Sequence, residues 1–322
     1  MNNYKDIEIA AKYIKEGKLV AFPTETVYGL GANALDPIAV AKIFELKERP
    51  TFDPLIIHIS SIDDLKKLTT SIDIRVLKLA ERFWPGPLTI VLPKSNIVPD
   101  IVTSGLSTVG IRMPNNDIAL ELIKRSGCPI AAPSANKFGR ISPTTAQHVK
   151  KQLPEVDFIL DGGRTNIGIE STIISLNDNG FEILRHGFIT RKEIEEVLPV
   201  HLQENLQENL QEKTKNLVAP GMLKSHYSPN KPLYILEETV PKDLDKKVSG
   251  LLSFSGKNTD GYKVVEILTS DCDLKKYAVN LFAGMHKLEE SDVECIVAEA
   301  VPECAIGIAI MDRLRKAAYK YK

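Results

Sequence analysis

Cysteine is scarce in this sequence, with four residues in 322 at Cys128, Cys272, Cys295 and Cys304. None of them belongs to a CxxC motif or shows the spacing to histidine that zinc ligands have. Those patterns mark disulfide frameworks, redox pairs and zinc sites. We therefore predict no disulfide, no metal site built from protein side chains, and a reducing cytoplasm as the location.

Long apolar runs and an excess of one charge are also missing. No run approaches the roughly 18 residues of a membrane span, and the N-terminal segment MNNYKDIEIAAKYIKEG lacks the apolar core of a secretory signal. The formal net charge is −1, whereas proteins that clasp nucleic acid usually carry a basic excess. This balance argues against RNA binding as the main task, although a local basic groove stays possible.

Glycine-rich phosphate-binding motifs are absent as well. The sequence contains no Walker A motif, and Gly29-Leu30-Gly31 lacks the third glycine of a dinucleotide-binding fingerprint. There is likewise no arrangement of Ser-His-Asp or Cys-His for nucleophilic catalysis. A nucleotide would therefore have to be held by side chains.

The length and the pattern of the chain predict two α/β domains. Through residues 1–200, β-branched and aromatic runs bounded by Pro, Gly and Asn alternate with helical patterns, which predicts one domain on a large mixed sheet. Residues 201–230 form a linker that includes the repeat LQENLQENLQEK. The pattern of residues 231–322 predicts a smaller, three-layer α/β domain, in which we find no catalytic motif. The predicted strands are 19–22, 55–59, 88–92, 108–112, 157–160, 171–175, 181–184, 233–236, 249–255, 262–268 and 293–301, and the predicted helices are 6–16, 38–46, 62–68, 73–83, 116–126, 144–152, 191–197, 274–289 and 305–320.

Two short polar segments carry the most information about function. KERPTFDP presents Lys47 and Arg49 at spacing two, and PSAN presents Ser134 and Asn136 in the same way. Proline brackets both segments and favours extended backbone, in which residues i and i+2 share a side. If folding joins the segments, they make a polyphosphate pocket. Taken alone, two such cations more often belong to a solvated face.

The surrounding motifs favour the pocket. Upstream lies LVAFPTETVYGLGANALDP, and FDPLIIHI, FWPGPLTIVLP, TVGIRMP, DGGRTNIGIESTII and ILRHG follow in order. Together with KxR and SxN, these motifs resemble the Sua5/YrdC/YciO family over residues 1 to about 200. APGMLKSHYSP resembles the linker of Sua5 members, and the remaining hundred residues are similar to their C-terminal domain. The resemblance implies that the large sheet is twisted and forms a concave groove. Turns expected at Pro220-Gly221 and Ser228-Pro229 predict that residues 219–229 fold over the nucleotide side of this groove as a lid.

The resemblance implies a nucleotidyltransferase, L-threonylcarbamoyladenylate synthase. Its substrates are L-threonine, bicarbonate and ATP, its products are threonylcarbamoyl-AMP and pyrophosphate, and Mg²⁺ is expected to bind through phosphate oxygens. The product serves a downstream transferase that modifies adenosine 37 of tRNAs decoding ANN codons. Carried over by motif, the expected catalytic residues are Lys47, Arg49, Ser134 and Asn136. The expected ATP contacts are Arg49, Asp53, Thr108, Ser134, Ser142, Arg185, His226 and Tyr227, and the expected threonine contacts are Thr26, His58, Arg112, Ala132 and Ser171.

Each of these residues could instead have a purely structural role. His58 in an apolar strand is by default a core histidine, Thr26 and Ser171 could cap turns, and Arg112 could form a surface ion pair. The chain also departs from the family at Asp53, where asparagine is more usual, and in its less basic linker. A double-stranded RNA-binding module of the same fold and a YciO-type relative without synthase activity remain as alternatives.

Overall fold

The computed structural model describes residues 3–198, 220, 223 and 225–319. Its first part is a nine-stranded mixed sheet with helices, and its second part is a smaller parallel sheet of four strands. The predicted α/β class is therefore confirmed. The boundaries proposed at residues 200 and 230 stay a prediction, since residue 200 and most of the linker lie outside the described residues.

The first part alternates strands and helices along the chain. Its helices are α1 (Asn3–Lys15), α2 (Pro37–Lys47), α3 (Leu65–Leu68), α4 (Ile74–Phe83), α5 (Asp100–Thr103), α6 (Asp117–Ser126), α7 (Ala146–Gln152) and α8 (Arg191–Val197). Its strands are β1 (Val20–Phe22), β2 (Gly29–Asn33), β3 (Ile56–His58), β4 (Leu88–Pro93), β5 (Thr108–Arg112), β6 (Ile130–Ala131), β7 (Phe158–Ile159), β8 (Thr172–Asn177) and β9 (Gly180–Arg185).

The strand order of the large sheet is β7-β1-β2-β6-β3-β5-β4-β8-β9. Parallel and antiparallel pairs are mixed, and β3 lies parallel to β5 with His58 directly beside Arg112. Two residues that are far apart in sequence thus become neighbours at the carboxyl ends of two strands. This register places both side chains at the site described below.

Helix α2 shows how local sequence positions one of the predicted segments. The carboxylate of Asp36 accepts hydrogen bonds from the first turn, and Pro37 occupies the first helical position, as helix starts prefer. The helix continues through Lys47, and Glu48 follows in the left-handed conformation. The turn to Arg49 is therefore a helix end, not part of an extended strand.

Strands β2 and β6 and the short helix α5 were missed from the sequence. Glycine, alanine and asparagine dominate β2 and have low strand propensity. The sheet nevertheless requires small residues there. A Cβ atom on Gly31 would lie 2.8 Å from both Ile130 Cγ2 and Phe22 Cε1. The pattern of β2 thus reflects tight packing, which local propensity does not reveal.

The second part consists of β10 (Leu233–Ile235), β11 (Ser249–Ser253), β12 (Val264–Ile267), α9 (Leu274–Glu290), β13 (Cys295–Ala298) and α10 (Gly307–Ala318). The order β10-β13-β11-β12 is parallel throughout. Helices α9 and α10 pack into one apolar cluster with this sheet. No helix among the described residues is both long enough and apolar enough to span a membrane.

The two parts share an apolar core. The cluster of the second part also includes Val27, Ile141 and Ile169 from the first part. Backbone approaches backbone at Gly168, where φ is +77° and a Cβ atom would lie 2.4 Å from the carbonyl oxygen of Val279. Any larger residue would force the surfaces apart. The second part is therefore packed directly against the loops that build the site.

Candidate functional site

A cavity opens between the large sheet, the loop before β8 and the segment that leads into β10. Ten of the fifteen residues predicted for the site line it, and five do not. The ten are Thr26, Arg49, His58, Arg112, Ala132, Ser134, Ser171, Arg185, His226 and Tyr227. Concave sites with a few convergent polar groups are the usual form of small-molecule pockets.

Arg112 forms one wall of the cavity and is 4% exposed. Its guanidinium lies 2.6 Å from Glu25 Oε2, and Nη1 donates to Thr26 Oγ1 at 3.1 Å. A third bond runs from Nε to the carbonyl oxygen of Gly86 at 3.3 Å. Arg112 is thus a buried, oriented cation rather than a surface ion pair.

His58 lies beside Arg112 in the sheet and is buried, although it lines the cavity. Burial, helped by the charge of Arg112, lowers the pKa of His58 to about 3. The imidazole is therefore neutral at physiological pH. Its Nδ1 makes no hydrogen bond to any described residue, which leaves a polar atom for a bound molecule to engage.

Arg185 at the end of β9 is the second guanidinium of the cavity. It donates from Nε to Ser171 O at 3.1 Å, from Nη2 to Ser171 Oγ at 3.1 Å and from Nη1 to Pro220 O at 3.4 Å. Burial lowers the pKa of Arg185. Within the described ranges no carboxylate lies at ion-pair distance from it, so its charge is the least neutralised of the three cavity arginines.

Arg49 is the third guanidinium, and Asp53 neutralises it. The two side chains lie 2.9 Å apart and are almost completely buried. Arg49 also donates to the carbonyl oxygens of Asp53 at 3.1 Å and Pro54 at 3.0 Å, which fixes the loop after α2. Asp53 itself does not line the cavity, and its contact with ATP stays a prediction.

The extended geometry expected for the KxR segment is wrong, because Lys47 ends helix α2. Its ammonium donates to the backbone carbonyl oxygens of Ser134, at 2.6 Å, and Asn136. Asn136 in turn donates to the carbonyl oxygens of Lys137 and Arg140. Lys47 and Asn136 thus connect the two segments without lining the cavity, whereas Arg49 and Ser134 line it.

Thr108 and Ser142 do not line the main cavity. Thr108 lines a second, smaller cavity that shares Pro54 and Pro220 with the main one. Ser142 is fully buried, and its hydroxyl donates to Glu170 Oε1. Their expected contacts with ATP stay predictions.

The segment before β10 closes one side of the cavity with Pro220, His226 and Tyr227. The ring of His226 lies 4.0 Å from that of Tyr227, and Tyr227 stacks on Phe282 of α9 at 5.4 Å. Burial and the nearby charges of Arg49 and Lys47 hold the pKa of His226 well below its usual value. Tyr227 therefore contacts both the cavity and the second domain. The other residues of 219–224, apart from Leu223, lie outside the described residues.

Three charged residues of the site were not predicted. Glu25 and Glu170 stand inside the quoted motifs PTETVYGL and GIEST, next to the predicted Thr26 and Ser171. Those motifs could have pointed to them. Arg313 on α10 is fully buried and binds Glu170. Its sequence context is an ordinary helical pattern, which carries no sign of this contact.

Comparison with known proteins identifies two family models. The Sua5/YciO/YrdC model, described as telomere recombination, matches residues 12–187. The model described as the C-terminal domain of threonylcarbamoyl-AMP synthase matches residues 189–319. Together they span nearly the whole chain.

Similar proteins cover the full length. A threonylcarbamoyl-AMP synthase from Pyrococcus abyssi is 45% identical, over 97% of this chain and 93% of that protein. One from Bacillus subtilis is 40% identical, over 98% of this chain and 94% of that protein.

Among solved structures, the crystal structure of P. abyssi Sua5 complexed with L-threonine matches with a TM-score of 0.87 and 42% identity, over 99% of this chain and 95% of that chain. The chain therefore belongs to the Sua5/YciO/YrdC family, in the two-domain form that carries the threonylcarbamoyl-AMP synthase C-terminal domain.

Proposed function

We propose that this chain is an L-threonylcarbamoyladenylate synthase that joins L-threonine, bicarbonate and ATP and releases pyrophosphate. The observation that carries the proposal is the cavity with three buried arginines, of which Arg185 has no carboxylate partner among the described residues. A buried cation of this kind is strongly attracted to a polyphosphate. Two relatives that match nearly the whole chain are named threonylcarbamoyl-AMP synthase.

The threonine end is assigned to Arg112 and the residues around it. Because Glu25, Thr26 and Gly86 already hold the guanidinium, a substrate carboxylate would meet a fork that is oriented in advance. Neutral His58 can exchange a hydrogen bond there without adding a charge. Ala132 and Ser171 complete this wall of the cavity.

The nucleotide end is assigned to Arg49, Ser134 and Arg185. In the proposed reaction, the threonine amine adds to the carbon of bicarbonate to give a carbamate, with loss of water. A carbamate oxygen then attacks the α-phosphorus of ATP, and the bond to the pyrophosphate oxygen breaks. Positioning and stabilisation of the spreading phosphate charge are what the protein supplies. No protein nucleophile is needed.

The residues around the cavity do not fit a magnesium site of their own. The carboxylates of Glu25, Asp53 and Glu170 are each held by an arginine, namely Arg112, Arg49 and Arg313. Any Mg²⁺ would therefore bind through the phosphates of ATP, as this ion commonly does.

The proposed product supports the modification of adenosine 37 in tRNAs that decode ANN codons, through a downstream transferase. A cytoplasmic location stays a prediction. The RNA-binding alternative is not favoured, because the arginines of the site are between 4% and 8% exposed and a nucleic-acid duplex cannot reach them.

Incubation of the protein with ATP, bicarbonate and labelled threonine tests the proposal. Chromatography of the mixture should reveal labelled threonylcarbamoyl-AMP. Serine should be used poorly, because a pocket fitted to the threonine methyl group gains about 1–3 kcal/mol from it. Equal use of serine or glycine would refute the threonine assignment, and absence of any adenylate would refute the activity.

A further inference from the structure

We propose that Arg313 of the second domain is a positioning residue for the nucleotide end of the cavity. It would act by holding Glu170 and Tyr227, two residues that line the cavity. The inference rests on the proposed function, and it assigns a task to the second domain. Arg313 does not itself line the cavity, so it would work through these two contacts.

The contacts of Arg313 reach across the domain boundary. Nε donates to Glu170 Oε2 at 3.2 Å, and Nη1 donates to the carbonyl oxygen of His186 at 2.6 Å. Glu170 and His186 belong to the first domain, whereas Arg313 lies in the middle of α10. The guanidinium is completely buried, so water does not screen this ion pair as it does at a surface.

Glu170 connects Arg313 with the wall of the cavity. One carboxylate oxygen is bound by Arg313 and the other accepts the hydroxyl hydrogen of Ser142. The next residue, Ser171, binds Arg185 through both its hydroxyl and its carbonyl oxygen. Two sets of hydrogen bonds, joined by the peptide bond between Glu170 and Ser171, thus connect α10 with the least neutralised cation of the cavity.

Tyr227 receives the second restraint. The guanidinium carbon of Arg313 lies 5.4 Å from the centre of the Tyr227 ring, within the range of a cation–π contact. Tyr227 has φ of +63°, a conformation that a bulky residue adopts only when its surroundings hold it. Arg313 therefore helps to fix the segment that closes the cavity.

Arginine suits this position because its fork can serve Glu170, His186 and the aromatic ring at the same time. Lysine has one compact charged group and cannot donate in the same fixed directions. Loss of the cation would also leave Glu170 as a buried carboxylate without its charged partner, which is costly. Glu170 would then turn or recruit water, and the wall next to Ser171 and Arg185 would lose its shape.

The test compares Arg313→Met and Arg313→Lys with Arg315→Met in the full-length protein. Arg315 lies two residues further on the same helix, is partly exposed and pairs with Glu238 and Glu303 of the second domain. It controls for loss of a cation from α10. Glu170→Gln weakens the same ion pair from the other side, and it decides the matter if Arg313→Met fails to fold.

Two readouts are needed, the Kd for ATP by calorimetry and the rate of pyrophosphate release. We expect Arg313→Met to raise the Kd for ATP at least tenfold, Arg313→Lys and Glu170→Gln to raise it by a smaller factor, and Arg315→Met to leave it within twofold. The Kd for threonine should change less, because Glu25, Thr26 and Gly86 hold Arg112 independently of Arg313. Because Arg313→Met and Glu170→Gln break one interaction, their effects should not add in the double variant.

The inference is overturned if Arg313→Met binds ATP like Arg315→Met, or if the two substitutions add fully. It is also overturned if the Kd values for threonine and ATP rise equally, because that is the result of a general loss of structure. If the wild type binds ATP but releases no pyrophosphate with threonine and bicarbonate, the proposed function fails. The Kd for ATP then still decides the role of Arg313.

Discussion

At the scale of single residues, Arg49, Arg112 and Arg185 bring three buried cations to one cavity. The quoted motifs contain all three. The same motifs could not reveal that Lys47 ends a helix and holds the backbone of Ser134 and Asn136. Local residue preferences report on nearest neighbours, whereas a buried amine is placed by contacts almost ninety positions away.

The ion pair of Arg49 and Asp53 gives this aspartate a structural role. An aspartate charge would repel phosphate if it stood free in the site. In the structure it is bound by Arg49 at 2.9 Å. The carboxylate therefore orients the arginine, and the cation still lines the cavity through its remaining edge.

Substitution of Arg49 tests its assignment. Arg49→Ala should lower kcat/KM for ATP at least tenfold, because a lost charge-assisted contact costs about 1.5–3 kcal/mol. The kcat/KM of Arg49→Lys should lie between that of Arg49→Ala and that of the wild type. An ammonium group carries the charge, but it cannot make the two backbone hydrogen bonds together with the ion pair. Pyrophosphate release measures the rates, and thermal unfolding checks the fold.

Two variants serve as controls for this prediction. Asp53→Asn keeps the shape of the side chain and separates loss of the ion pair from loss of the cation. Arg191→Ala removes an exposed arginine of α8 and should leave the rate unchanged. Near-normal activity of both Arg49 variants would show that this residue does not bind the nucleotide.

At the scale of elements, the segment that leads into β10 was predicted to lie over the nucleotide end. Its described residues Pro220, His226 and Tyr227 do line the cavity. Ser228 pairs with Arg140, and its N–H donates to Gly139 O at 2.8 Å, so the end of the segment is fastened to the first domain. The turns expected from the sequence at Pro220-Gly221 and Ser228-Pro229 predicted this placement, whereas the stacking of Tyr227 on α9 depends on tertiary packing.

We expect closure of this segment to depend on the ring of Tyr227 and not on its hydroxyl. The phenol oxygen is buried and makes no hydrogen bond to the described residues, while the ring contacts His226, Phe282 and Arg313. Tyr227→Phe should therefore remain active, and Tyr227→Ala should lose most of the synthesis.

Limited proteolysis gives a second measurement of closure, because ATP should protect residues 219–229 from cleavage. Equal loss of activity in Tyr227→Phe and Tyr227→Ala would mean that the hydroxyl contacts a substrate directly. Cleavage that is unchanged by ATP would contradict closure altogether. A closed segment would also keep water from a product that hydrolyses readily.

At the scale of the whole molecule, the two domains behave as one packed body. Apolar residues of both contribute to a shared core, and His286 of α9 stacks on His148 of α7 with ring centres 3.9 Å apart. His286 Nε2 lies 3.2 Å from the carbonyl oxygen of Ser142. The sequence predicted both domains but not this contact, because neither histidine belongs to a recognisable motif.

The histidine pair makes stability depend on pH. Burial lowers the pKa of His148 to about 4 and that of His286 to about 3, and nearby Lys151 opposes protonation of both. In the unfolded chain these groups titrate near their ordinary value of about 6.5. Above pH 6.5 both histidines are neutral in the folded and the unfolded chain, and stability is at its full value. As the pH falls from 6.5 toward the folded-state pKa values, the unfolded chain binds protons first and the free energy of unfolding decreases.

Urea unfolding at pH 7 and pH 5 should show this dependence. One histidine that stays neutral in the folded protein lowers the free energy of unfolding by about 2 kcal/mol between pH 7 and pH 5. His286→Gln keeps a donor for the carbonyl of Ser142, and it should reduce the loss of stability by about that amount. A pH dependence that is identical in the wild type and the variant would contradict the assignment.

Pyrophosphate release decides whether one cavity holds an amino acid and a triphosphate for a joint reaction. The measurement uses the wild-type protein with ATP in four mixtures: without additions, with L-threonine, with bicarbonate, and with both. We expect rapid release only when threonine and bicarbonate are present together. Release that is equally fast when either substrate is left out would contradict a joint reaction.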